Sequence, residues 1–147
     1  MDALNLLMQD HKNVKELFAQ IKGQKDDEQR KKIFDKINSE LTVHAHIEET
    51  LFYPEVQRFD QLKEMVEEAL QEHHDVKELL KEMEELDLSG EEGDSALDDL
   101  IVNVEHHVGE EEGEMFPKVR ELCDKSALEK LGQQLESAKG QRHRQAS

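Results

Sequence analysis

The feature that most constrains this chain is an internal repeat in which histidine and glutamate recur at helical spacing. Residues 9–17 and 71–79 match at six of nine places, pairing His11 with His73 and Val14-Lys15-Glu16-Leu17 with Val76-Lys77-Glu78-Leu79. His44, Glu48, Glu49 and Pro54 recur as His107, Glu111, Glu112 and Pro117, at an offset of 63 against 62 for the first pair. The unit is a helix with one histidine followed by a helix with His-x-x-x-Glu-Glu-x-x-x-x-Pro, and its duplication predicts two like halves.

Apolar residues at three- and four-residue spacing predict four long helices. The first covers about residues 3–22 and is stopped by Gly23. Asp26-Asp27-Glu28 supplies acid to the first turn of the second, whose inner face holds Ile33, Ile37, Leu41, Ile47 and Leu51 and which bends or ends near Pro54. The third covers about residues 61–85. Residues 88–95 form the clearest loop, and Asp94 or Ser95 is expected to cap the fourth helix, which carries Leu97, Leu100, Val104, Val108, Met115 and Val119. A short fifth helix is expected over about residues 127–135. The domain should span 1–138, and 139–147, without apolar periodicity, should be a disordered tail.

Short connections make neighbouring helices antiparallel. The expected fold is all-α, an up-down-up-down antiparallel four-helix bundle with a short C-terminal fifth helix. An aromatic content of 4%, with no Trp, suits narrow helical seams better than a wide sheet sandwich.

At about 100° per residue, taking His44 as zero puts Leu41 at about 60°, Glu48 at about 40° and Phe52 at about 80°, all on one apolar side. Glu49 falls at about 140°, Tyr53 at about 180° and His46 at about 200°, at the margin or in water, although Tyr53 could become a phenolate ligand if Pro54 distorts the helix. On the fourth helix His107 and Glu111 share the apolar side with Leu100 and Val104, while His106 does not. His73 lies with Val66, Leu70, Val76 and Leu80, and His11 with Leu4, Leu7, Val14 and Phe18. Six ionisable side chains are thus predicted to face inward: His11, His44, Glu48, His73, His107 and Glu111.

Burying two carboxylates without partners costs several kcal/mol each, and cations between the helices would offset that cost. Imidazole and carboxylate together suit iron, manganese or zinc, and bundle cores hold paired metals through facing helices. Symmetry places His11 and His44 on one metal, His73 and His107 on the other, with Glu48 and Glu111 bridging. Glu49 and Glu112 are expected at the surface or steadying the buried histidines. Glu114 could approach the second metal or neutralise Lys77. Gly109 and Gly113, costly in a helix, suggest a closely packed neighbour.

This arrangement of His11, His44-x-x-x-Glu48-Glu49, His73 and His107-x-x-x-Glu111-Glu112 resembles the hemerythrin-like (HHE cation-binding) family over roughly residues 5–120. The resemblance implies an oxo- or hydroxo-bridged non-haem di-iron centre that meets O2, peroxide or nitric oxide, with the family's metal ligands falling on the same six residues. Oxygen-carrying hemerythrins have a fifth histidine one turn after the third-helix ligand, where this sequence has Lys77. The set is similar instead to bacterial hemerythrin-like proteins associated with nitrosative stress, iron-centre repair and peroxide decomposition.

Nineteen Lys and Arg against 36 Asp and Glu leave a formal charge of −17. Such a field disfavours nucleic acid and anionic membrane surfaces as partners. Cys123 is the single cysteine; it excludes an internal disulfide and suits a reducing, cytoplasmic setting. Two functions follow: a di-iron protein that binds or processes O2, peroxide or nitric oxide, with a catalase-like cycle as one form of that chemistry, or a non-enzymatic module that binds, stores or senses iron or oxygen.

Overall fold

The computed structural model describes residues 1–146, all but the loops between them helical. Helix α1 (Ala3–Gly23) leads to α2 (Asp27–Ile47), which continues through a π-helical turn (Glu48–Phe52) into α3 (Tyr53–Val56). A 3-10 turn (Asp60–Leu62) opens α4 (Lys63–Glu84); α5 (Glu91–Glu110) continues through a second π turn (Glu111–Met115) into α6 (Phe116–Leu122), and α7 is Lys125–Ala146. The two π turns repeat at the same offset as the His-x-x-x-Glu motifs, so the sequence repeat is a structural one. No described helix is long and apolar enough to cross a membrane.

Local chemistry explains the boundaries. Asp2 caps α1 by accepting from the Asn5 amide at 2.8 Å, and Asp26 caps α2 by accepting from the Gln29 amide at 3.1 Å. The fourth long helix starts earlier than expected: its cap is Gly90, and Asp94 and Ser95 lie inside it. Gly93 makes this possible, because a Cβ there would stand 2.4 Å from the Asp87 carbonyl oxygen. Asp94, freed from capping, binds the buried Arg30 at 2.9 Å.

The core is split in two. An upper cluster gathers Val14, Phe18, Ile21, Phe34, Ile37, Leu80, Leu97, Leu100 and Val104. A lower cluster gathers Leu4, Leu7, Ile47, Phe52, Tyr53, Val66, Met115, Phe116 and Val119, with Leu128, Leu131 and Leu135 of α7. Each of these leucines contributes roughly 1.5–3 kcal/mol by its burial. Gly132 lets α7 lie against the N-terminus, since a Cβ there would be 2.3 Å from the Met1 carbonyl oxygen.

Helix α7 outruns the short stretch of apolar periodicity that predicted it. Ala138 packs on the lower cluster and the Lys139 ammonium pairs with buried Asp10, so helix persists through the region expected to be a tail from 139. Ser147, the end of that tail, lies outside the described residues. Gly109 and Gly113 have no packed neighbour: a Cβ at either would meet nothing within 4 Å.

Candidate metal centre

Between the two apolar clusters lies a layer of buried polar side chains: Asp10, His11, His44, Glu48, His73, His107 and Glu111. All six residues predicted to face inward are there. His11 comes from α1, His44 from α2, His73 from α4 and His107 from α5, while Glu48 and Glu111 each open a π turn.

Each imidazole is held from behind by a carboxylate. His11 Nδ1 lies 2.7 Å from Glu112 Oε2, and His73 Nδ1 lies 2.8 Å from Glu49 Oε2. His44 Nδ1 lies 2.9 Å from Asp10 Oδ2, and His107 Nδ1 lies 2.7 Å from Glu72 Oε1. An ionised carboxylate can only accept, so Nδ1 carries the donated proton and Nε2 is the nitrogen turned to the centre. Carboxylates in this position fix ring orientation and raise basicity at the other nitrogen. Glu49 and Glu112 thus steady the buried histidines. Asp10 and Glu72 were not singled out from sequence, although each precedes the histidine of its repeat, and an acid at both places was the available signal.

The Nε2 atoms converge on the two glutamates. His11 Nε2 is 3.2 Å from Glu111 Oε1 and His44 Nε2 is 3.2 Å from Glu48 Oε1. His73 Nε2 is 3.0 Å from Glu48 Oε1, and His107 Nε2 is 3.4 Å from Glu111 Oε2. Two donor sets result, His11–His44–Glu48–Glu111 and Glu48–His73–His107–Glu111, each with its ligand atoms within 4.8 Å of one another. Glu48 and Glu111 belong to both.

Two observations fit this layer to metal ions. Metal–ligand bonds of about 2.1 Å place neighbouring donors roughly 3.0–3.4 Å apart in octahedral or tetrahedral arrangements, the spacing found here. Further, His11 Nε2, His44 Nε2, Glu48 Oε2 and Glu111 Oε1 are buried with no hydrogen-bond partner. An unsatisfied buried polar atom costs about 1–3 kcal/mol, and four such atoms facing one small space are the signature of donors arranged for a cation. The histidine pKa values record the same demand for positive charge. Burial works to lower that of His44, but Glu48 and Asp10 outweigh it and push it up to about 10. At His107 burial is likewise outweighed, here by Glu111 and Glu48, and the value is pushed up to about 12.

Tyr53 departs from expectation. In a continuous α-helix it would lie about 180° from His44, yet its side chain is buried in the layer. The π turn explains the shift, because i→i+5 bonding absorbs one extra residue and sets all that follows back by about 100°. The Tyr53 hydroxyl is 3.2 Å from Glu48 Oε1 and 3.2 Å from His73 Nε2, and it donates a hydrogen bond to Glu111. Burial, then Glu48 and Glu111, hold the phenol protonated, its pKa well above the usual tyrosine value. The repeat carries an aromatic-Pro pair in both halves, Tyr53-Pro54 and Phe116-Pro117, which was the sequence signal for this position.

Other candidates stay outside. His74 and His106 are exposed and His46 is half-buried. His106 meets Glu72 at 3.4 Å and Glu110 at 2.5 Å in an edge cluster beyond the layer. Glu114 is exposed, and Lys77 pairs instead with Glu49 at 2.9 Å. Burial and the nearby Glu55 push the Cys123 thiol up, away from a reactive thiolate.

Known proteins share this fold or parts of this sequence. The crystal structure of a hemerythrin HHE cation-binding domain-containing protein from Mycobacterium kansasii superposes with a TM-score of 0.88 at 26% identity, over 99% of this chain and 90% of that one. A DNA nickase of Nostoc sp. is 27% identical over 139 residues, which is 95% of this chain and 39% of the nickase. An uncharacterized hemerythrin-like protein of Schizosaccharomyces pombe is 27% identical over 113 residues, 76% of this chain and 56% of that protein. The chain therefore spans roughly half the length of these two relatives or less. The family profile described as the Hemerythrin HHE cation binding domain matches residues 2–119. With its duplicated histidine-glutamate layer and that match over most of its length, the chain belongs to the hemerythrin HHE cation-binding domain family.

Proposed function

We propose that this protein holds two iron ions in the polar layer and uses them to bind or process O2, peroxide or nitric oxide. His11 and His44 would hold one ion and His73 and His107 the other, with Glu48 and Glu111 shared. The observation that carries this reading is the set of four buried, unpartnered donor atoms on residues that a repeat presents twice. Iron bound by imidazole and carboxylate is a redox-active Lewis acid suited to such ligands; manganese and zinc are the less favoured occupants.

The chain's own residues supply the rest. Asp10, Glu49, Glu72 and Glu112 orient the four imidazoles. Tyr53 keeps a proton within reach of Glu111 and Glu48, where charge on a bound oxidant would need one. Lys77 pairs with Glu49 and contributes no imidazole where oxygen-carrying hemerythrins have one.

Metal analysis and peroxide or nitric oxide assays on iron-loaded protein test the reading. Two irons per chain, with oxygen evolved from peroxide or a nitric oxide adduct, are expected. Iron-replete protein inert to all three ligands would refute the processing role. The alternative, an iron or oxygen store or sensor, draws support from the way each half reaches into the other: Glu112 holds His11, and Glu49 holds His73. Metal removal would then loosen the bundle, seen as a large fall in melting temperature without any turnover. A formal charge of −17 repels a phosphate backbone, so the nickase activity is left with that relative. A cytoplasmic location suits the lone thiol of Cys123.

A further inference from the structure

The repeat gives the histidine layer two related seams to the outside, and they differ. Above the layer, toward the upper cluster, lies a cavity of about 40 Å³ that all four histidines line. One water position takes roughly 10–15 Å³, so the cavity admits about three atoms of that size. Its other walls are mainly aliphatic, among them Val14, Leu41, Val76 and Val104.

One seam runs between α1 and α5, the other between α4 and α2, and the repeat relates them: Lys15 to Lys77, Val14 to Val76, Val108 to Ala45, Gly109 to His46. At the α2/α4 seam the Lys77 ammonium crosses to Glu49 at 2.9 Å, and His46 stands half-buried beside Ala45. At the α1/α5 seam neither obstruction exists. Among the described residues Lys15 forms no ion pair, and a Cβ at Gly109 would meet nothing within 4 Å. A surface groove of about 520 Å³ opens there instead, reaching His11 and sharing Val14, Val104 and Val108 with the inner cavity. His11, Val14, Val104 and Val108 thus line both groove and cavity.

We propose that the α1/α5 groove is the entrance to the centre, that Val14, Val104 and Val108 form its gate, and that it selects uncharged ligands of two or three heavy atoms. The size limit comes from the cavity. The preference for neutral species comes from the chain's charge of −17 and from a groove whose Lys12 and Lys15 are balanced by Glu105 and Glu112. The inference deepens the reading of a metal centre that meets such ligands and rests on it. It also accounts for Gly109, whose cost to the helix leaves the groove open.

Two measurements test it, one of them independent of iron chemistry. In xenon-pressurised crystals of iron-loaded protein, xenon should occupy the α1/α5 groove or the cavity behind it and not the α2/α4 seam. In stopped-flow mixing of nitric oxide with ferrous protein, Gly109→Leu should slow association about tenfold or more while leaving iron content and the final adduct spectrum unchanged. His46→Leu, at the position the repeat relates to Gly109 and lining neither the cavity nor the groove, should leave the rate within about twofold. Xenon at the α2/α4 seam, or an unaltered rate in Gly109→Leu, would overturn the entrance. Xenon in the groove of a wild-type protein that forms no adduct would support the entrance and refute the proposed function.

Discussion

The two halves of the polar layer share a plan and differ in how their donors are satisfied. Around His73 and His107 the donors have neighbours: the two Nε2 atoms lie 3.2 Å apart, and the Tyr53 hydroxyl, 3.2 Å from both His73 Nε2 and Glu48 Oε1, donates to Glu111. Around His11 and His44 neither Nε2 makes a hydrogen bond, although each stands 3.2 Å from a glutamate oxygen. There the repeat puts Phe116, whose ring stacks on His11 at 6.1 Å with planes 5° apart and offers no proton. At this aromatic position the halves differ by one oxygen atom: Tyr53 brings a proton source to the shared carboxylates from the His73 side, and Phe116 brings an apolar ring on the His11 side. Duplication supplied two like donor sets, and this substitution made them chemically distinct.

The largest expected effects blur the two halves, because Glu48 and Glu111 serve both. Glu48→Ala or Glu111→Ala should empty the layer of both ions, measured as metal per chain. His44→Ala and His73→Ala should each remove mainly one, and selective loss in opposite halves would sharpen the comparison. Equal loss of both ions from every variant would break it. Next come the carboxylates behind the rings: Asp10→Asn and Glu72→Gln should each weaken metal affinity by about 10–100-fold. The Asp10 change should act on the His11–His44 half and the Glu72 change on the other.

Acid should weaken metal binding in both halves. His44 and His107, lifted to about 10 and about 12, carry protons at neutral pH that a metal must displace. Affinity therefore rises with pH and falls by about tenfold per unit for each proton released, read by metal titration between pH 6 and 8 on the order of a few points. The sign for the metal-free fold is opposite. A histidine whose pKa is raised on folding contributes its full stabilisation below about 6.5, and the contribution is lost as pH climbs through about 10 for His44.

The smallest effect is the most telling for the asymmetry. Tyr53→Phe should keep both metals and cost about 1–3 kcal/mol of stability, while altering the pH profile of peroxide or nitric oxide chemistry. Phe116→Tyr, placing a second hydroxyl in the other half, should partly restore that profile in the Tyr53→Phe background. An unchanged profile in both would remove Tyr53 from the chemistry.

Much of this site was legible in the chain because histidine and glutamate four residues apart share a helix face whatever the surroundings. His44 with Glu48 and His107 with Glu111 needed nothing more. Tyr53 was misplaced because the angular sum assumes one hydrogen-bond register, and the π turn from Glu48 to Phe52 changes it. Asp10 and Glu72 escaped because what they hold, His44 and His107, stands on another helix. The length of α7 escaped for a related reason: beyond Leu135 an ion pair from Lys139 to Asp10 extends the contact, with Ala138 adding little apolar pattern. The fold class survived these omissions because it rests on the apolar stripe alone.

The most direct test of two metals held by six residues, two of them shared, is anomalous diffraction at the iron edge from crystals of iron-loaded protein. Two peaks are predicted, one among His11, His44, Glu48 and Glu111 and one among His73, His107, Glu48 and Glu111. A single peak, or iron found only at the exposed Glu72–His106–Glu110 cluster, would contradict the account.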